Sequence, residues 1–125
     1  MQIKESAENY LETIYVLCRT KGMVRSIDIV NALHFSKPSV SVAMKNFREN
    51  GYVVMDSDGY ITLTDAGREI AERIYERHEV LTEMLMQIGV SEETAKTDAC
   101  RMEHHLSDET FERLKEHVEK FKVKK

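Results

Sequence analysis

Between Ser6 and Thr20 the apolar positions Tyr10, Leu11, Ile14, Tyr15, Leu17 and Cys18 recur at spacings of three and four, so SAENYLETIYVLCRT reads as an amphipathic helix. Lys21-Gly22 ends it, and Ser26 follows as an N-cap before IDIVNALH, a short helix with Ile27, Val30 and Leu33 turned inward. Phe35-Ser36-Lys37-Pro38 then opens a third helix, the proline lying where a first turn tolerates it, with Val40, Met44 and Phe47 on its buried face and Gly51 as its stop. In YVVMDSDGYITLT the apolar pattern shortens to two strands around Asp56-Ser57-Asp58-Gly59, a hairpin. Thr64 caps a long helix from Asp65 to about Ile88 that Gly89 closes. Ser91 caps another reaching about Leu106, and Ser107, Asp108 and Glu109 open the last.

Two helices joined by a short turn and followed directly by a hairpin form a winged helix-turn-helix. The expected fold is therefore mainly α: a winged helix-turn-helix domain over residues 1–63, then a helical domain over residues 64–125. No internal repeat, linker or low-complexity run interrupts the pattern, and the lysine-rich FKVKK at the end is expected to fray.

Composition narrows this reading. One domain's worth of chain, 125 residues, is 42% hydrophobic and 32% charged, as in a globular protein, and has no apolar run able to span a bilayer. MQIKESAENY lacks the apolar stretch of a secretory signal, so a cytosolic location is expected, with Cys18 and Cys100 reduced and no disulfide. The net charge of −4 is uneven: residues 1–50 carry seven Lys or Arg against five acids, and the remainder eleven against seventeen. An acidic protein binds a polyanion only if its basic groups are gathered on one face, so charge alone predicts at best weak binding to nucleic acid.

The chemistry concentrates in ACRMEHHLSDE, Ala99 to Glu109. On a helix Cys100, Glu103 and His104 lie at i, i+3 and i+4, so all three project from one face within reach of a single ion, while His105 points about 100° away. Thiolate and imidazole suit zinc, iron or nickel, and a carboxylate adds affinity for harder ions such as manganese. The alternative is a small core cysteine beside a solvated Glu-His pair. Nothing pairs a nucleophile with a base, so no enzyme is expected.

Taken in order, ENYLETIY, the winged helix-turn-helix, RHEVLTEMLMQIGV and DACRMEHHLSDE resemble the diphtheria toxin repressor family of metal-dependent bacterial regulators over nearly the whole chain. The match is to the short form, similar to the manganese transport regulators and without the SH3-like domain. The resemblance implies a homodimer in which divalent metal bridges the first helix to the dimerisation helices, with residues 1–63 as the DNA-binding domain and residues 64–125 as the metal-binding and dimerisation domain. Carried over by position, its ligands fall on Asn9, Glu12, His78, Cys100, Glu103 and His104. The chain mixes two branches: Glu12 looks manganese-like and Cys100 iron-like, while Asn9 offers only a neutral amide oxygen. Thr82 and Lys96 stand where the iron branch has a glutamate and a histidine, which should weaken a second site. Mn2+ or Fe2+ is the expected effector, with Co2+, Ni2+ and Zn2+ as further candidates.

Docking of a helix-turn-helix brings the N-terminal turns of its second helix to the bases, which selects Ser36, Lys37, Pro38, Ser39 and Ser41, with Lys45 and Arg48 on backbone phosphate. Asp56 and Asp58 make the wing tip acidic, leaving Arg19, Lys21 and Arg25 as other phosphate anchors. His34, His105 and His117 are read as ordinary surface or structural residues, Cys18 as core, and Met84, Leu85, Ile88 and Leu106 as core or dimer interface. The leading function is a metal-activated repressor of metal-ion uptake or homeostasis genes, acting on a double-stranded operator. Its competitors are a winged-helix regulator with a vestigial metal site and a cytosolic metal-binding protein that does not bind DNA.

Overall fold

The computed structural model describes residues 5–122 and contains, in order, α1 (Glu5–Thr20), α2 (Ser26–Leu33), α3 (Lys37–Glu49), β1 (Val53–Met55), β2 (Ile61–Leu63), α4 (Asp65–Gln87), α5 (Glu92–Met102) and α6 (Asp108–Lys120). Most of these bounds lie within two residues of the sequence expectation. The chain divides into two compact units after Glu72. The hairpin ends at Leu63, but the first turns of α4 stay with the first unit, because Ala71 belongs to its core and Gly67 lies against the Tyr52 carbonyl.

In the first unit Leu11 and Ile14 of α1, Ile29 of α2, Val40, Met44 and Phe47 of α3, and Val53 and Ile61 of the hairpin are buried together. Tyr10 meets Phe35 and Phe47 edge-on at 5.5 and 5.7 Å. Ser36 caps α3, its hydroxyl accepting from the Ser39 N–H at 3.2 Å, and Pro38 sits in the first turn as the sequence requires. The turn between α2 and α3 passes through His34 in the left-handed region at φ 59°, its N–H closing on the Val30 carbonyl at 2.9 Å.

Two local expectations for α2 are corrected. The N-cap is Arg25, one residue before Ser26, because the Asp28 carboxylate takes the Arg25 N–H at 2.9 Å. Ile27 is 44% exposed and does not face inward; Ile29 fills the core in its place. The eight-residue helix can turn only a narrow face to the core, and IDIVNAL offers more apolar residues than that face holds.

β1 and β2 pair antiparallel with Val53 opposite Leu63 and Met55 opposite Ile61. Asp56 is consumed inside the connecting turn, where its Oδ1 accepts the N–H groups of Asp58 and Tyr60, both at 2.9 Å. A further backbone bond, Ile61 N–H to the Val24 carbonyl at 2.7 Å, ties the hairpin to the segment before α2. Thr64 caps α4 as expected: its hydroxyl accepts from the Gly67 N–H at 3.2 Å and donates to the Gly51 carbonyl at 2.6 Å.

In the second unit Ile74 and Leu81 of α4 are buried, as are Ala95 and Ala99 of α5 and Phe111 and Val118 of α6. Ser91 and Ser107 cap α5 and α6 through the N–H groups of Thr94 and Thr110. Helix α5 ends at Met102, short of the expected Leu106. Glu103–His105 form a turn, and Arg77, not a continuing helix, donates to the carbonyls of Glu103 and Leu106, at 3.4 and 2.7 Å. Of FKVKK, Phe121 caps α6 and residues 123–125 lie outside the described residues.

Candidate metal centre and nucleic-acid interface

In the second unit His78 of α4 faces Cys100 of α5 and Glu103 of the following turn. One donor atom from each lies within 4.8 Å of the others. His78 Nδ1 is 3.1 Å from Glu103 Oε2 and 3.7 Å from Cys100 Sγ. The second carboxylate oxygen, Oε1, has no hydrogen-bond partner, and His104 Nε2 approaches it to 3.4 Å. The side chains of Glu103 and His104 are fully buried, and that of His78 is 21% exposed.

A carboxylate taken wholly out of water with one oxygen unbonded is costly unless positive charge offsets it. His78 supplies part of that charge: its hydrogen bonds to Cys100 and to Glu103 push its pKa up to about 10 against the opposing effect of burial, so it is an imidazolium at neutral pH. The arrangement therefore holds an imidazole, a sulfur and a second imidazole around one buried carboxylate, and a divalent cation fits this donor set. Spacing along the chain had assembled Cys100, Glu103 and His104. The structure adds His78, which the resemblance had named, and puts His104 on the far oxygen of Glu103. Asn9 and Glu12, the other two positions carried over, lie on α1 in the first unit, both half-buried.

Thr82 and Lys96 are engaged locally, the Thr82 hydroxyl donating to the His78 carbonyl at 2.7 Å and Lys96 pairing with Glu92 at 3.0 Å. His105 is exposed, and His117 packs its ring 4.7 Å from that of Phe121. Cys18 is half-buried against the first unit's core, and burial raises its thiol pKa.

Arg77 went unnoticed in the sequence. It is 6% exposed, its guanidinium lies 5.1 Å from the Phe111 ring, and it bonds to the Glu103 and Leu106 carbonyls and, at 2.5 Å, to Asp108. It thereby holds the turn that delivers Glu103 and His104. The available signal was an arginine on the apolar side of α4, one residue before His78. Arg77→Met should lower stability by about 2 kcal/mol, since it strands the Leu106 carbonyl without its charged donor. An unchanged urea midpoint would remove this role.

On α3 every residue selected for DNA contact is exposed: Ser36, Lys37, Pro38, Ser39, Ser41, Lys45 and Arg48. Ser36 and Ser39 also bond to each other through their hydroxyls at 2.8 Å, so part of their capacity goes into the cap. Among the other cations, Lys21 pairs with Asp28 and Arg19 donates to the Tyr15 hydroxyl at 3.3 Å. Arg25 stacks 4.4 Å over the Tyr60 ring beside the wing. Among the described residues no helix is long and apolar enough to cross a membrane.

Comparison with known proteins bears on both sites. Residues 2–61 match the model for the N-terminal DNA-binding domain of iron-dependent repressors, and residues 64–125 the model for their metal-binding and dimerisation domain. The HTH-type transcriptional regulator MntR of Geobacillus kaustophilus is 38% identical over 116 residues, covering 93% of this chain and 82% of that protein. An uncharacterised HTH-type transcriptional regulator of Methanocaldococcus jannaschii is 36% identical over 98% of this chain and 99% of its own. Among solved structures, the manganese regulator SloR superposes with a TM-score of 0.79 at 27% identity, over 98% of this chain. A manganese-dependent transcriptional repressor in complex with manganese gives 0.83 at 25%, over 90%. The chain spans just over half the length of these two solved proteins, 57% and 52%.

Proposed function

The chain belongs to the iron-dependent repressor family of metal-dependent DNA-binding transcriptional regulators, whose motifs its sequence resembles, and from that premise we propose that it represses genes of metal-ion uptake or homeostasis when Mn2+ or Fe2+ occupies the centre at Glu103. It is a regulator and not an enzyme. The observation that carries the metal reading is the fully buried Glu103 carboxylate with His78 on one oxygen and His104 on the other.

In this reading His78, Cys100, Glu103 and His104 are ligands, and the family resemblance adds Asn9 and Glu12 of α1. A bound dication supplies the charge that lets Glu12, Glu103 and a Cys100 thiolate share one site. The bridge to α1 that the resemblance implies would make occupancy a restraint on the DNA-binding domain. That restraint favours the arrangement in which the two recognition helices of a homodimer meet successive major grooves of a double-stranded operator. Ser36, Lys37, Pro38, Ser39 and Ser41 then approach bases and phosphates, and Lys45, Arg48 and Arg25 the backbone.

The experiment is a titration of the chelated protein with Mn2+, anaerobic Fe2+, Co2+, Ni2+ and Zn2+, read by anisotropy of labelled DNA from upstream of its own gene. One or two metals should tighten binding at least about ten-fold, or 1.4 kcal/mol of coupling. Equal affinity in chelator and in every metal would leave a winged-helix regulator answering to another signal.

Loading should also release protons. With His78 held up to about 10, its charge stabilises the metal-free fold in full below the ordinary imidazole value, and that contribution is lost as pH climbs from there toward 10. A metal takes only the neutral ring, so between pH 7 and 9 at least one proton should leave per ion bound, and affinity should rise with pH. Calorimetry in two buffers of different ionisation enthalpy measures this directly. Buffer-independent heats would contradict it.

A further inference from the structure

The outward face of α3 carries one side chain that neither the fold nor the polar contact set explains. Val42 is 60% exposed, while Val40, Met44 and Phe47 on the same helix are buried. At roughly 100° per residue, the step from Val40 carries Val42 to the side directly away from the core. A β-branched residue gains nothing there in helix propensity, and its isopropyl group gains nothing from burial in this chain. Pro38, four residues earlier on the same face, is also exposed, so the two form a short apolar ridge flanked by the Ser41 hydroxyl and the Lys45 ammonium. Phe35, the nearest other exposed apolar group in sequence, is 39% exposed and already packs edge-on to Tyr10.

Resting on the DNA-binding assignment of residues 2–61 and on α3 as the reading helix, we propose that Val42 is a specificity-determining residue that reads the 5-methyl group of thymine in the major groove. Thymine presents the one apolar group on that groove's floor, and valine has no donor or acceptor with which to satisfy any other base edge. Cytosine at the same place would lack the methyl and leave its amino group facing an isopropyl, which costs affinity twice. The charged neighbours do not compete for this role, because Lys45 and Arg48 hold phosphate, which is the same at every base pair.

The test uses the full chain loaded with Mn2+. Duplexes are selected from a random-sequence pool by the wild type and by Val42→Ala, a surface change, and each thymine of the wild-type consensus is then replaced in turn by deoxyuridine. In each half-site at least one replacement should weaken wild-type binding about three- to five-fold, the scale of one buried methyl group, and leave Val42→Ala unaffected. Lys45→Gln should instead weaken every duplex alike and flatten the salt dependence. The proposal is overturned if no thymine is sensitive, or if Val42→Ala is as sensitive as the wild type. It is equally overturned if Val42→Ala instead loses self-association, which would assign the ridge to a second copy of the chain. Failure of the wild type to select any sequence would count against α3 as the reading helix, an outcome distinguishable from the loss of methyl discrimination alone.

Discussion

Glu103→Gln should abolish most of the metal response: the Mn2+ concentration for half-maximal DNA binding should rise by about a hundred-fold, at the upper end of what altering a metal site costs. The reason is the position of this carboxylate. It is fully buried, His78 and His104 both approach it, and its Oε1 has no hydrogen bond of its own. Glutamine keeps the shape and removes the charge. In the chelated protein the change should lower the thermal midpoint, because it leaves the His78 imidazolium without the carboxylate that offsets it. Added Mn2+ should raise the midpoint of the wild type and leave that of the variant where it is, which separates a ligand from a purely structural acid. A variant that responds to Mn2+ like the wild type would remove Glu103 from the centre.

Gly67→Ala should unfold the first unit at markedly lower denaturant, by about 3 kcal/mol, although a glycine-to-alanine change inside a helix ordinarily stabilises by about 0.5–1 kcal/mol. A β-carbon at this position would stand 2.1 Å from the Tyr52 carbonyl oxygen and 3.3 Å from Leu63 Cδ2. The carbonyl has little freedom to retreat, since it accepts the Thr64 N–H at 3.0 Å, and Thr64 is itself bonded to Gly51 and Gly67. The strain thus falls on the junction of hairpin and α4. Guanidinium unfolding followed by circular dichroism gives the answer, and a variant more stable than the wild type would show that the close approach is relaxed in solution.

Much of this was legible in one dimension. The 3.6-residue apolar period marked the helices, the shortened alternation around Asp56–Gly59 marked the wing, and Ser36, Thr64, Ser91 and Ser107 announced helix starts that they do cap. These are local interactions, decided within a turn or two of chain, and a sequence carries them whole. The spacing of Cys100, Glu103 and His104 is of the same kind.

Local pattern went astray where several apolar residues competed for one face. Ile27 looked as apolar as Ile29, and only packing against α1 and α3 decided which was buried. The end of α5 depended on a donor 26 residues away, since Arg77 draws off the Glu103 carbonyl. The pairing of His78 with Glu103, 25 residues apart, and the near contact of the Gly67 backbone with Tyr52 likewise depend on how helices and hairpin meet. By itself the sequence determined the elements, the caps at Ser36, Thr64, Ser91 and Ser107, the family and the shared spacing of Cys100, Glu103 and His104, because each rests on neighbours along the chain. The tertiary structure alone decided which acid is buried, which arginine holds its turn and which valine points outward, because burial and charge compensation are properties of surfaces that the chain brings together only on folding.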